Sequence, residues 1–479
     1  MRFCTAFVVT CSLAVFFAGC ETIRSARARQ RELAPLGADD GSSATNGIVK
    51  LSLAGCSLEQ LVEFAYTNRP SVVTAALAVK DARLVLREIA SDAPIVSSTP
   101  WTAPHLSLSG AYSAVSETAE NDHGLRLATE GSASANLSLQ LLVYDFGRNR
   151  AQAEAQAERV VAAEQSFLSA GYAVFEEVAS AYFLLMEQDA LLEVAQSNVV
   201  EYALHLQQAE RQFSFGEKQR LDVTRARLDL SKSMEAVIAA SNRVATAGSA
   251  LMKALGVDVR QGDRDEVYPD RNLPLSTVVR GFATTDFDVD SAFRKALESS
   301  PSVAVARARL RAASRSVDYA IADLMPSVSA EVGLGWADPI WTWHWGVSAV
   351  QSLFQGFRKT TAVDRAVVAL ESAAEEAQEV EQQLSLDVET AVTLRDNAFR
   401  QLETANISVL RAKENLEIVR ERFRDGEASR VDYTDAASDY ATELGARVSA
   451  FYAGQIAEAR LFALLGLRPV YCEEIIEEN

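Results

Sequence analysis

At 479 residues the chain has room for two or three ordinary domains. Its formal charge of −19 argues against nucleic-acid binding and against attachment to anionic lipid through a basic patch. With 48% hydrophobic residues it is too apolar for a disordered chain.

The N-terminus opens with Arg2, an apolar run from Phe3 to Phe17, then Ala18-Gly19-Cys20. A positive start, a short apolar core and small residues before a cut mark a secretory signal, here residues 1–19. The run is too short to span a bilayer. The stretch resembles a bacterial lipoprotein signal, which implies that Cys20 carries lipid, palmitate included, and becomes the first mature residue. Residues 20–56 are polar, with Arg24, Arg27, Arg29 and Arg31 close together, and read as a lipid-anchored tether. Fully extended, such a segment reaches about 120 Å. Export leaves Cys56 and Cys472 in an oxidising compartment, where they either pair, if the chain ends meet, or remain two free thiols.

Two repeats are expected, 57–257 and 288–467, joined by a linker at 258–287 and followed by an acidic tail at 468–479. Each opens with a helix broken by proline, at Pro70 and at Pro301. Strands follow at 105–115, 131–144, 327–336 and 341–352. In each, apolar residues alternate with Ser, Thr, Asn, Gln or Gly, as in Leu137, Leu139, Leu141 against Asn136, Ser138, Gln140. That pattern fits a membrane β-barrel with a wet interior, or a half-buried soluble sheet. All five tryptophans (101, 336, 341, 343, 345) lie in or beside the strands, as an interfacial girdle would place them. Four strands cannot close a barrel, so the chain must oligomerise, and three copies would supply twelve strands.

Helices begin directly after the second strand of each pair and run without proline from Gly147 to Phe213 and from Phe357 to Phe423. Each stretch is about 100 Å long if fully helical. Leu192, Ala195, Val199, Tyr202, Leu206, Ala209 and Phe213 alternate three and four apart, a coiled-coil seam. The same spacing recurs 210 residues on, from Leu402 to Phe423. The turns that follow match without gaps: Phe213, Gly216, Glu217, Arg220, Asp222, Thr224 and Ala226 become Phe423, Gly426, Glu427, Arg430, Asp432, Thr434 and Ala436. In the first returning helix the expected seam combines Leu230, Val237, Val244 and Leu251 with Met234, Ser241, Gly248 and Leu255. His105, His123, His205 and His344 show no metal-ligand spacing, and there is no nucleophile elbow or phosphate loop. No cofactor, metal or enzyme activity is expected.

The order of these motifs resembles the outer membrane efflux proteins, the TolC-like channels, in their lipoprotein branch. The carriers are the Leu-x-x-Ala-Leu-x-x-x-Pro-like opening, the Pro-then-alternating strands at 104–112 and 326–334, the Phe/Tyr-x-x-x-Arg strand–helix junctions, and the duplicated Phe-x-x-Gly turn with Asp six residues on. The resemblance implies a mainly α fold with a transmembrane β part. Two strands per repeat would join a trimeric 12-stranded β-barrel in the outer membrane, and long helices would form a periplasmic α-helical barrel. It implies a passive duct partnered by a periplasmic adaptor and an inner-membrane pump, with no catalysis. Asp432 and Asp435 would form the pore constriction, and Phe213, Gly216, Asp222, Phe423 and Gly426 the periplasmic tip and adaptor contact. The first copy has Arg225 where the second has Asp435, which suggests that the second hairpin faces the pore. Asp432 also follows Ser429 by three, the spacing of a helix cap. A type I protein-secretion duct shares the fold; a periplasmic adaptor, the remaining alternative, would carry one hairpin and no duplication.

Overall fold

The computed structural model describes residues 26, 58–91, 105–121, 124–216, 219–257, 289–337, 340–425 and 427–466. The signal peptide, the tether with Cys20 and Cys56 (residue 26 excepted), the linker, the tail with Cys472, Trp101 and Gly426 all lie outside the described residues.

The first repeat contains α1 (Leu58–Asn68), α2 (Pro70–Ser91), β1 (His105–Asn121), β2 (Gly124–Tyr144), α3 (Arg148–Ser214) and α4 (Arg220–Ala254). The second contains α5 (Val289–Ser299), α6 (Pro301–Ala322), β3 (Ser327–Ala337), β4 (Ile340–Val350), α7 (Arg358–Arg424) and α8 (Arg430–Leu464). The long helices α3 and α7 have 67 residues each and the returning helices α4 and α8 have 35 each. After the strands the copies run at an offset of 210 residues, but before them, α1 to α5 and α2 to α6, the offset is 231. The difference lies in the longer approach to β1 and the longer first hairpin.

That hairpin exceeds the sequence expectation. β1 and β2 stay paired without a break from His105↔Gln140 to Asn121↔Gly124, whereas the alternation is legible only to about residue 115 and from about 131. The four strands form one antiparallel sheet in the order β1-β2-β3-β4. Its register aligns the apolar residues into rows on a single face: Leu106–Leu139–Val332–Trp345 and Leu108–Leu137–Leu334–Trp343. The opposite face carries Ser107–Ser138–Gly333–His344 and Ser109–Asn136–Gly335–Thr342. Serine hydroxyls bond across it, Ser107 with Ser138 at 2.7 Å and Ser329 with Ser348 at 3.0 Å. The His344 ring lies over Gly333, where a Cβ would collide with it. Trp341, Trp343 and Trp345 are 67%, 73% and 70% exposed, so the apolar face has no cover there among the described residues. No helix among the described residues is long and apolar enough to cross a membrane.

The helical core is written twice as well. Ala292, Ala296, Val303, Leu384, Val388, Ala391, Val392, Leu461 and Leu465 pack into one cluster where α5 and α6 meet α7 and the end of α8. Their counterparts by the two offsets, Leu61, Ala65, Val72, Val174, Val178, Ala181, Tyr182, Leu251 and Leu255, are all buried too. In α4 the seam differs from the expected one. Leu251 and Val244 are buried, and of the expected second row Gly248 and Leu255 are buried while Met234 is 49% exposed and Ser241 is exposed; the buried row running the length of the helix is Ala226, Ser233, Ala240, Ala247 and Ala254. Both rows keep the three–four alternation; the row of smaller residues faces α3 because it lets the two backbones approach closely.

Each returning helix ends on Leu-Gly, with the glycine left-handed: Gly256 at φ 77° and Gly466 at φ 58°. These ends seat against the proline-broken helices. Arg69 donates to the Ala254 carbonyl at 2.9 Å and the Ser299 hydroxyl to the Leu465 carbonyl at 2.5 Å, while from α3 the Tyr172 hydroxyl donates to the Gly466 carbonyl at 2.9 Å. A Cβ on Gly466 would stand 2.5 Å from the Ser299 carbonyl oxygen, whereas Gly147, also left-handed, has open space. Gly147→Ala should therefore cost only the conformational strain, about 1–2 kcal/mol. Gly466→Ala should cost clearly more. Thermal unfolding in detergent checks this; equal losses would show that the seat yields freely.

Candidate functional site

The far ends of the two hairpins hold the predicted tip residues. Asp222 and Asp432 occupy the same place in their copies, the third position of a returning helix. The Asp432 carboxylate accepts the Ser429 N–H at 3.0 Å while the Ser429 hydroxyl accepts the Asp432 N–H at 3.2 Å. Asp222 accepts the Gln219 N–H at 3.3 Å in the same way. The Ser429 hydroxyl, then its backbone N–H, hold the Asp432 carboxyl below its ordinary value. Both residues therefore cap helices. Asp435 is exposed and free of that duty. It lies near Tyr202 of α3, whose hydroxyl is pushed up by burial and then by Asp229 and Asp435.

The matched phenylalanines diverge. Phe213 is 46% exposed and its neighbour Phe215 is 79% exposed beside Gly216, which turns at φ 77°. Phe423 is buried. It stacks on Tyr433 at 5.2 Å between centroids, and His205 from α3 completes the stack, 5.4 Å from Tyr433 and 5.6 Å from Phe423. Phe423 thus belongs to the seam between the repeats, while Phe213, Phe215 and Gly216 form the accessible tip.

Polar ties, which the sequence reading missed, reinforce that seam. Glu201 of α3 receives Arg420 of α7 at 2.5 Å and the hydroxyl of Tyr433 of α8. Arg430 at the start of α8 reaches Asp229 of α4 at 2.6 Å, both largely buried. Burial, then the Glu201 carboxylate, push the Tyr433 hydroxyl well above its ordinary range, so it remains a donor at neutral pH. A signal existed. Glu201, His205, Arg420 and Tyr433 correspond to Arg411, Asn415, Glu210 and Val223, so the tie forms where the copies disagree.

Near the C-terminal end of α8, Glu458 is 3% exposed. Its Oε1 finds no hydrogen-bond partner among the described residues. Burial pushes it up to about 7, with Arg395 pulling the other way. No group of His, Cys, Asp or Glu suited to a metal occurs among the described residues.

With this geometry in place, the relationships to known proteins are consistent. The family model described as outer membrane efflux protein matches residues 65–257 and 292–467, so the chain belongs to that family. It shares its fold with the outer membrane protein VceC of Vibrio cholerae, at 18% identity and a TM-score of 0.70 over 85% of this chain and 96% of that one. It likewise shares it with the CmeC outer membrane channel of Campylobacter jejuni, at 18% identity and a TM-score of 0.72 over 85% of each chain. In sequence it is 26% identical over 190 residues to the solvent efflux pump outer membrane protein SrpC of Pseudomonas putida. The toluene efflux pump outer membrane protein TtgI of the same species matches at the same level. These alignments cover 40% of this chain and 38% of the relatives' length.

Two outcomes are expected. Tyr433→Phe with Arg430→Ala keeps the ring stack but removes two ties, each worth about 1.5–3 kcal/mol. Amide exchange in the first turns of α8 should rise at least tenfold, and unchanged protection would show the stack alone suffices. For Glu458, a folded-state value above the unfolded one means the neutral form is the favoured one. Its stabilisation is present below the unfolded value and is lost as pH rises through about 7. Glu458→Gln should raise the melting temperature above neutral pH and leave it unchanged near pH ~4.

Proposed function

We propose that this protein is the outer-membrane exit duct of a tripartite efflux system, a homotrimer whose substrates pass through without chemistry. The observation that carries the reading is the sheet: four strands, one continuous apolar face, one face of serine, glycine and histidine, joined to helices of about 100 Å. Three chains supply twelve strands, enough to close a barrel with a wet interior. The helical hairpins then line a periplasmic tube. Energy for transport comes from an inner-membrane pump reached through an adaptor at the tips, where Phe213, Phe215 and Gly216 are accessible. The relatives' names speak of solvent and toluene efflux, and small apolar molecules are the cargo class proposed here.

The gate lies at the second hairpin. Asp435 forms the main acidic ring, because Asp432 divides its carboxylate with the cap. The ties from Glu201 and Asp229 hold this hairpin against the first, so breaking them lets the entrance dilate. The lipid anchor at Cys20 fixes each chain to the membrane.

Planar-bilayer recording of the purified protein tests the proposal. Wild type should conduct weakly as a trimer, and Tyr433→Phe/Arg430→Ala should conduct several-fold more. Asp435→Asn should lose cation selectivity while Asp432→Asn chiefly loosens the helix start. A monomeric, silent wild type would overturn the duct.

A further inference from the structure

Phe146 and Phe357 are the non-glycine residues with positive φ among those described, at 54° and 63°. Each sits beside a left-handed glycine, Gly147 at 86° and Gly356 at 60°. At the offset of 210 the order is reversed: Phe-Gly leads into α3, Gly-Phe into α7. Glycine satisfies the backbone at either position, yet each copy keeps one phenylalanine against a cost of about 1–2 kcal/mol. Burial in the chain gives little back, since the rings are 44% and 71% exposed. Each ring instead meets a second exposed aromatic edge-on, Tyr144 at 4.8 Å and Phe354 at 5.5 Å.

The position of these rings has a meaning. A bulge near Leu142 brings Tyr144 opposite Val328, into the apolar face of the sheet at its helical end. Trp336 and Trp341 pair across the opposite end of that face, 6.4 Å apart. The apolar rows between them run about 26 Å along the strand, or about 20 Å in height once strand tilt is allowed for, near that of a barrel's lipid-facing band with aromatic girdles at both edges. Basic residues come directly after the lower girdle. Residues 144–150 and 354–360 carry Arg148, Arg150, Arg358 and Lys359 against one carboxylate, Asp145, which is buried and accepts the Gly147 and Asn149 N–H groups. The whole-chain charge conceals this local excess.

Asp323 draws the two junctions together, pairing with Arg148 at 3.3 Å and Lys359 at 3.4 Å. Arg150 is paired with Glu154 yet 79% exposed, and Arg358 is exposed. Beside them a cleft of about 340 Å³ is lined by Arg148, Gln152, His105 and Asn149, together with Ile89, Leu142 and the carboxylate-bearing Glu88. Asn149 is 92% buried there, and its Oδ1 has no hydrogen-bond partner among the described residues.

We propose that this girdle of strained phenylalanines and arginines is a binding surface for anionic glycerophospholipid in the periplasmic leaflet, with the rings between acyl chains and the cations on the headgroup phosphates. The proposal rests on the membrane-barrel reading but not on the gate. Native mass spectrometry of the full-length protein tests it, in micelles doped with dioleoylphosphatidylglycerol or dioleoylphosphatidylcholine. Wild type should retain the anionic lipid preferentially. Arg150→Ser and Arg358→Ser should each cut that preference about fivefold. Phe146→Gly with Phe357→Gly should lower retention of both lipids without lowering the melting temperature, since glycine relieves the backbone; Phe→Trp at both should restore retention. Equal uptake of the two lipids by wild type, or undiminished retention in the glycine variant, would overturn the proposal. Bilayer conductance of the same preparation separates this failure from failure of the duct itself.

Discussion

A sheet of four strands has two edges, and here the edges are β1 and β4. Hydrocarbon offers nothing to an unpaired backbone N–H or C=O, and each one left open there costs several kcal/mol. In the proposed duct the edges β1 and β4 of this apolar-faced sheet would be settled against neighbouring copies. The rest of the architecture follows from that requirement. β3 and β4 have the length needed to cross the apolar band, and β1 and β2 continue past it. The helices are long because they continue the same wall beyond it. Their outer faces keep Ile238, Leu386, Ile407 and Leu410 exposed, as surfaces completed by neighbours would.

Within the chain, duplication supplies the means of building a curved wall from similar parts. The two cores match position by position, and the Leu-Gly ends seat both hairpins on the proline-broken helices in the same manner. Similar halves alone would give a symmetric wall with no preferred inside. Asymmetry enters at the tips. His205 and Glu201 of the first copy hold Phe423, Tyr433 and Arg420 of the second, whereas Phe213 stays accessible. The second hairpin is thereby held from one side and left with Asp435 exposed.

Much of this was legible in the sequence. Strand alternation, the three–four seam and the constant offset depend on periodicity, which a single chain displays openly. The α4 seam was misassigned at one row because two rows of identical spacing share Leu230, Val237, Val244 and Leu251. Only close backbone approach, which favours Ala and Ser, distinguishes them. Extended pairing across 116–130 was hidden because strands beyond the apolar band need not alternate. The ties at Glu201, Tyr433, Arg430 and Asp229 span up to 232 residues, and no local pattern announces a partner so distant. Their best signature is negative and partial: Glu201, Arg420 and Tyr433, together with His205, break the repeat, whereas Arg430 and Asp229 match Arg220 and Asp439.

The two unequal hairpins have one more consequence. β1 and β2 run to 17 and 21 residues, β3 and β4 to 11 each. In a threefold ring, tall and short loops would therefore alternate around the rim on the cell's outer side, like a crenellated parapet. Phage, antibodies and bactericidal toxins arriving from outside would meet the three tall merlons first. In the proposed trimer, change in their sequence would leave the lipid-facing wall and the passage it encloses untouched.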